Sequence, residues 1–213
     1  MRFASREDGG RQLGRLLRDE VVAVDLVLGL PRGGVVTAAQ VAHELQRPLD
    51  VLIVRKIGHP WQREFAVGAL AEPDVVLLDD DSIGRNPRAR AQLDAVIAEE
   101  VMRLREYRAK FHLTAAPDLR GKSVLIVDDG LATGATTEAA ARAARLRGAK
   151  QVIIASPVAS VGAVQRLERV ADDVRAVCVD PNFEAVGQFY EEFDQTSDDE
   201  VIALLRNEIW QQR

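Results

Sequence analysis

Short apolar runs and stretches of helical periodicity alternate along almost the whole chain. Residues 25–30 and 50–54 read as strands, with a helix over 35–45 between them. Before them, Ser5 followed by Asp8 resembles a capping box, and Leu13, Leu16 and Leu17 mark the buried face of a first helix. Residues 67–70 and 75–78 predict two shorter strands around an acidic turn. The pair Asn86-Pro87 then opens a long helix, Asn86 as its cap and Pro87 in its first turn. Leu93, Ile97, Val101, Leu104 and Phe111 recur on one side of that helix, while Glu99/Arg103 and Glu106/Lys110 are spaced to pair on the other. Downstream, 124–127 and 152–155 are strands, 135–146 and 161–170 helices, and 174–179 a last strand, with Gly148 ending the first of these helices. This alternation predicts an α/β fold: an open, mostly parallel sheet with helices on both faces.

The 213 residues are expected to form one domain over 1–213, with a core at about 25–179 and a small hood or cap at about 180–213, the N-terminal segment being a further candidate contributor to the hood. Phe183, Phe189, Tyr190 and Phe193 cluster in that C-terminal stretch, as a lid on the sheet end or a hood over a site would require. A 47% hydrophobic, 29% charged chain is that of a soluble globular protein. Net charge of −5 and a pI near 5.3 argue against nucleic acid as a partner. Cys178 is the one cysteine, set in an apolar run, which excludes an internal disulfide and predicts a buried structural thiol. With no charged-then-apolar leader and no apolar run near ~20 residues, the expected setting is the cytoplasm, with no membrane contact.

The most informative chemistry lies at 124–137. The apolar strand ends in Asp128 and Asp129, where open α/β sheets bind ligands. The small-residue loop after it, through Ala132, Thr133, Gly134, Ala135 and Thr136, offers backbone N–H groups and hydroxyls at the start of a helix that favours negative charge. A phosphate cradle beside two acids suited to sugar hydroxyls or a hydrated cation points to a ribose phosphate. The order of an apolar strand, two acids, three small or apolar residues and Thr-Gly-x-Thr resembles the phosphoribosyl pyrophosphate (PRPP) signature of the type I phosphoribosyltransferases. A Walker loop fits poorly, because no lysine follows Gly134.

That resemblance implies several roles. Asp128 and Asp129 would serve the ribose hydroxyls, and Ala132 to Thr136 would hold the 5-phosphate. Upstream, Pro31-Arg32-Gly33-Gly34 after a strand resembles the family's pyrophosphate loop, with a strained and cis Pro31–Arg32 peptide among the implied features. Arg55-Lys56, read as the end of the second core strand, would add positive charge there; a solvated strand end is the competing reading. Residues 57–65 read as a loop of the kind that closes over bound PRPP, with His59 and Arg63 as contacts. Arg32, Lys56, Asp128 and Asp129 would be the catalytic set, with Mg²⁺ held mainly by PRPP rather than by direct protein ligands. Pro157, Phe183 and Tyr190 are candidates for contact with an acceptor, expected to be a nucleobase. His43 and His112 read as structural or solvated. Asp79-Asp80-Asp81 reads as an acidic turn, and Asp198-Asp199-Glu200 as the start of the last helix.

The implied reaction is Mg²⁺-dependent transfer of the 5-phosphoribosyl group with release of pyrophosphate, by a homodimer as is common in the family. Two rivals stand beside it: a PRPP-binding regulator without turnover, and a fold kept as an interaction module.

Overall fold

The computed structural model describes the chain apart from residues 21, 73–74, 80–82, 84–86, 113–114 and 212–213. Helix α1 (Arg6–Asp19) precedes strand β1 (Leu26–Gly29), helix α2 (Gly33–Leu45) and strand β2 (Leu49–Val51). Strands β3 (Val54–His59), β4 (Gln62–Ala71) and β5 (Val75–Leu78) follow, then the long helix α3 (Pro87–Phe111). The second half runs β6 (Ser123–Val127), α4 (Ala135–Leu146), β7 (Gln151–Ser160), α5 (Val161–Leu167) and β8 (Asp173–Asp180). A 3₁₀ turn at Val186–Phe189 and helix α6 (Asp198–Gln211) complete it.

The main sheet has five parallel strands in the order β2-β1-β6-β7-β8. Its central strands are buried on both faces, and their alternation sorts the residues into two cores. Val27, Leu125 and Ile153 face a layer built from α1, α2, α3 and α6, with Leu13, Val35, Leu104 and Val201 among its contributors. Leu28, Ile126 and Ile154 face α4 and α5, where Ala140, Ala144 and Leu167 pack. Alanines on α4 let that helix lie close to the strands. Helix α4 spans the predicted 135–146, and Gly148 follows it with φ of 84°.

Strands β3, β4 and β5 form a separate antiparallel sheet. This corrects the expectation for 50–65. The second core strand ends at Val51, so Arg55 and Lys56 lie on a new strand rather than at its end, and most of the expected loop is the β3–β4 hairpin. The hairpin packs between α3 and α4, and α3 covers Ile57, Val67 and Leu70 with Leu93 and Val96. The cap expected at Asn86 lies outside the described residues, as do Asp80 and Asp81. Glu99 pairs with Arg103 as the spacing predicts, whereas Lys110 pairs with Asp198 on α6 instead of with Glu106. Cys178 is only half-buried, because β8 is an edge strand.

The stretch beyond β8 divides into two parts. Residues 186–193 pair with the N-terminus: Phe3 N–H donates to the Phe189 carbonyl (2.7 Å), and Glu191 and Glu192 N–H donate to the carbonyls of Phe3 and Ala4 (2.8 and 3.0 Å). Phe3, Val158, Phe189 and Tyr190 form a small core beneath this strap. Helix α6 then returns to the main core against α2, α3 and β2. Helix α1 belongs to the layer over the sheet, its Ser5 cap accepting from the Asp8 N–H.

One ionic group is sealed within the fold. Glu72 is fully buried; its Oε1 accepts the Ile53 N–H (3.1 Å), and its Oε2 lies 2.6 Å from His112 Nε2. Asp50 stands 3.4 Å from the other ring nitrogen. Burial opposes a charged imidazole, but the carboxylates of Asp50 and Glu72 overcome it and raise His112 to about 9. The folded state therefore holds the proton more tightly than the unfolded chain, whose histidine titrates near ~6.5. Its stabilisation is complete below that value and is lost as pH rises toward 9. We expect unfolding free energy from urea titrations to fall by about 3 kcal/mol between pH 6 and 9.5, and the fall to be much smaller in His112→Gln. Equal slopes in the two proteins would remove His112 as the cause.

Candidate active site

Strands β1 and β6 are parallel neighbours whose connections depart to opposite sides. β1 leads through α2 to β2, and β6 through α4 to β7. Their carboxyl ends thus flank a topological switch point, where an open α/β sheet leaves a crevice for ligands. Both glycine-bearing loops of the sequence arrive there.

The loops touch. A methyl group on Gly34 would stand 2.8 Å from Asp128 Oδ1, and one on Gly33 would collide with Asp129 Oδ2 while lying 2.7 Å from Arg6 Nε. Only glycine lets the turn and the acids share this space. The Pro31–Arg32 peptide is cis. Arg32 Nη1 is 3.7 Å from Asp198 Oδ1 at the start of α6, and Asp198 also pairs with Lys110.

Asp128 Oδ1 accepts the Asp129 N–H at 2.9 Å. Burial pushes the Asp128 carboxyl well above the usual carboxylate range, and the adjacent Asp129 charge adds to this. Burial raises Asp129 as well, against the opposing pull of Arg6. Two acids crowded into one half-buried place favour a ligand that brings hydroxyl donors or positive charge.

Beyond the acids, Leu131 is buried and bridges to Ala159, anchoring the loop to β7. Ser160 Oγ donates to the Ala132 carbonyl (2.7 Å), and Thr133 Oγ1 accepts the Ala135 N–H (3.4 Å). Gly134, with φ of 71°, occupies the cap position of α4 in the left-handed region that favours glycine. Ala132, Thr133 and Thr136 stay exposed around it. The first-turn N–H groups of α4 have no acceptor within the helix, so this end is suited to an anion.

The other expected contacts are placed differently. Arg55 Nε donates to Glu100 on α3 (2.9 Å) and its guanidinium lies 5.4 Å from the Tyr107 ring centre, so it is committed to that helix. Arg63 pairs with Glu99 (3.1 Å), and His59 meets Trp61 edge-on. Lys56 is exposed on β3. The acceptor candidates need correction. Tyr190 is 1% exposed, lies against Phe3 and Phe193, and donates its hydroxyl to the Asp129 carbonyl (2.5 Å). It therefore offers no free face to a base. Pro157 is buried against Gly9 of α1, and Phe183 packs on Phe189.

One residue of the site is absent from the sequence reading. Arg6, the first residue of α1, places Nε 2.7 Å from Asp129 Oδ2 and Nη1 2.6 Å from the Asp194 carbonyl. Its guanidinium carbon lies 3.8 Å from the centre of the Phe193 ring. Nothing local marks it: an arginine at a helix start runs against the dipole, and that mismatch was the only signal available.

Two glycine-bearing loops meeting at a switch point define an α/β protein with a ligand crevice at the carboxyl ends of its strands. Comparison supplies the family: residues 11–194 match the phosphoribosyl transferase domain, and the chain belongs to that family. Relatives from two strains of Mycobacterium tuberculosis, each named "Putative phosphoribosyl transferase", are 44% identical over 204 residues. The match covers 95% of this chain and 46% of theirs, so the chain spans about half the length of these curated relatives. The crystal structure of TT1426 from Thermus thermophilus is similar throughout, with a TM-score of 0.83 and 38% identity over 97% of this chain and 99% of that one. A Neisseria gonorrhoeae protein solved with bound ppGpp shares the fold alone, at 14% identity and a TM-score of 0.51 over 97% of this chain and 98% of that one.

Proposed function

We propose that this protein transfers the 5-phosphoribosyl group of PRPP to a nucleobase-like acceptor and releases pyrophosphate. The reading is supported by the close approach of Gly33 and Gly34 to Asp129 and Asp128, which brings the loop we assign to pyrophosphate and the loop we assign to the ribose phosphate together in one crevice. Asp128 and Asp129 would accept the ribose hydroxyls, and Ala132 to Thr136 the 5-phosphate. Pro31 to Gly34 would hold the pyrophosphate, with Arg32 as its cation and Lys56 a second one supplied by the hairpin. An acceptor nitrogen would bond to C1 as the C1–O bond breaks, the electron pair leaving with pyrophosphate and the acceptor losing a proton. Such chemistry needs positioning and charge stabilisation more than a protein nucleophile.

Among the described residues no group of three or more His, Cys, Asp or Glu side chains is set to hold a metal. Two carboxylates fit Mg²⁺ carried by the oxygens of PRPP and water better than a protein cage. Bound in that way, the ion would offset charge on the departing pyrophosphate.

Calorimetric titration of PRPP with and without Mg²⁺, followed by a screen of nucleobases for pyrophosphate release, tests the assignment. Magnesium-dependent binding with release supports the transferase, whereas binding without release for any base would favour a PRPP sensor. Arg32→Ala should weaken binding of inorganic pyrophosphate on the order of 10- to 100-fold, the scale of one lost charge-assisted contact. Unchanged affinity would remove Arg32 from the pyrophosphate role.

A further inference from the structure

Arg6 joins three segments that are remote from it in sequence. Its guanidinium meets Asp129 of the signature loop, the Phe193 ring and the Asp194 carbonyl, and its Nε lies 2.7 Å from where a methyl group on Gly33 of the first loop would stand. Its side chain is only 12% exposed and that of Asp129 15%, so the pair is shielded from solvent on both sides. The flat face of the guanidinium is spent on Phe193 and two of its nitrogens on oxygens, which fixes its plane as well as its charge. Tyr190 adds a second restraint through the Asp129 carbonyl (2.5 Å). The acid is thus clamped by its side chain and its main chain at once, in one case by the helix that follows the strap's N-terminal half and in the other by the strap itself.

We infer that Arg6 is a positioning residue for donor binding: it holds one oxygen of Asp129 and so orients the other toward the ribose hydroxyls. The inference rests on the phosphoribosyl reading of the site. Arg6 acts through Asp129 and not on the phosphates, and this distinguishes it from Arg32. The same contacts couple the strap to the donor site, since any shift of Phe193 or Asp194 moves the guanidinium and with it the carboxylate.

The distinction can be measured with two ligands that differ in the ribose. Arg6→Gln should weaken Mg²⁺–PRPP at least 10-fold by calorimetry while leaving Mg²⁺–pyrophosphate, which has no hydroxyls to place, within about 2-fold. Arg6→Lys, which keeps the charge but has one donor group and no flat face, should recover part of the PRPP affinity. If Arg6→Gln does not fold, Phe193→Leu carries the same test: it removes the stacking partner and should lower PRPP affinity selectively, by a smaller factor. Equal losses for both ligands would overturn the inference in favour of a phosphate-binding or purely structural Arg6, and no loss for either would overturn it outright. Wild-type protein that binds neither ligand would instead reject the phosphoribosyl reading on which it rests.

Discussion

Changing Asp128 and Asp129 together to asparagine is expected to abolish PRPP turnover, by on the order of 10³-fold or more, the scale of a lost transition-state contact, and to leave the fold in place. The argument starts from burial. Both carboxyls sit at the end of β6 in a half-buried, crowded place where burial and the Asp129 charge hold Asp128 well above the usual carboxylate range. Removing the Asp128 charge costs the fold little, because burial disfavours its charged form there. The double change does orphan Arg6, and losing one partner of a largely buried pair should lower the melting temperature by several degrees while the protein still folds at ~25 °C. The ligand suffers far more. Asparagine presents one acceptor and one donor where, in the proposed reaction, a carboxylate would offer two acceptors to the ribose hydroxyls, and the charge that would complement a developing cation at C1 is gone. Circular dichroism and pyrophosphate release on the same sample separate the two effects. Turnover like that of the wild type in a folded double variant would sink the site assignment.

The second large effect is expected from a single methyl group. Gly33→Ala places a carbon against Asp129 Oδ2 and 2.7 Å from Arg6 Nε, where neither neighbour is the end of a slack chain. Arg6 is pinned by Phe193 and Asp194, and Asp129 by Arg6. Either the acid pair or the turn must move. Overpacking of this kind costs about 1–3 kcal/mol in stability. PRPP affinity should fall beyond the reach of calorimetry, since both loops are displaced. A contrast is available at Gly121, with φ of 72° and no atom within 4 Å of the position a side chain would take. Alanine there would carry only the backbone strain. If Gly33→Ala bound PRPP as the wild type does, the close approach of the loops would have no functional weight.

The parallel core was legible because its central strands β1, β6 and β7 are buried on both faces and carry apolar runs, each followed by a helix. Helix α4 emerged with both ends in place, since Gly134 and Gly148 punctuate it chemically. The β3–β4 hairpin was hidden for the opposite reason. Residues 57–65 mix Gly58, His59, Pro60, Trp61 and charged side chains, and what pairs them is backbone hydrogen bonding against a strand ten residues long, which composition does not announce. In the site, the two loops were visible because each is a local pattern. The Arg6–Asp129 pair spans 123 residues and leaves no local trace. Tyr190 misled as an acceptor platform because an aromatic in a hood looks the same whether it faces a ligand or, as here, is sealed between Phe3 and Phe193.

The strap joining Phe3 and Ala4 to Phe189, Glu191 and Glu192 is made by main-chain donors and acceptors. Main-chain bonds are indifferent to side-chain identity, whereas the neighbouring glycines and aspartates tolerate almost no exchange. A permissive rim therefore borders an exacting centre. The exposed side chains of Glu184, Glu191 and Glu192 can drift without loosening the closure, so novelty in what approaches the crevice can accumulate by neutral change while the loops behind it stay fixed.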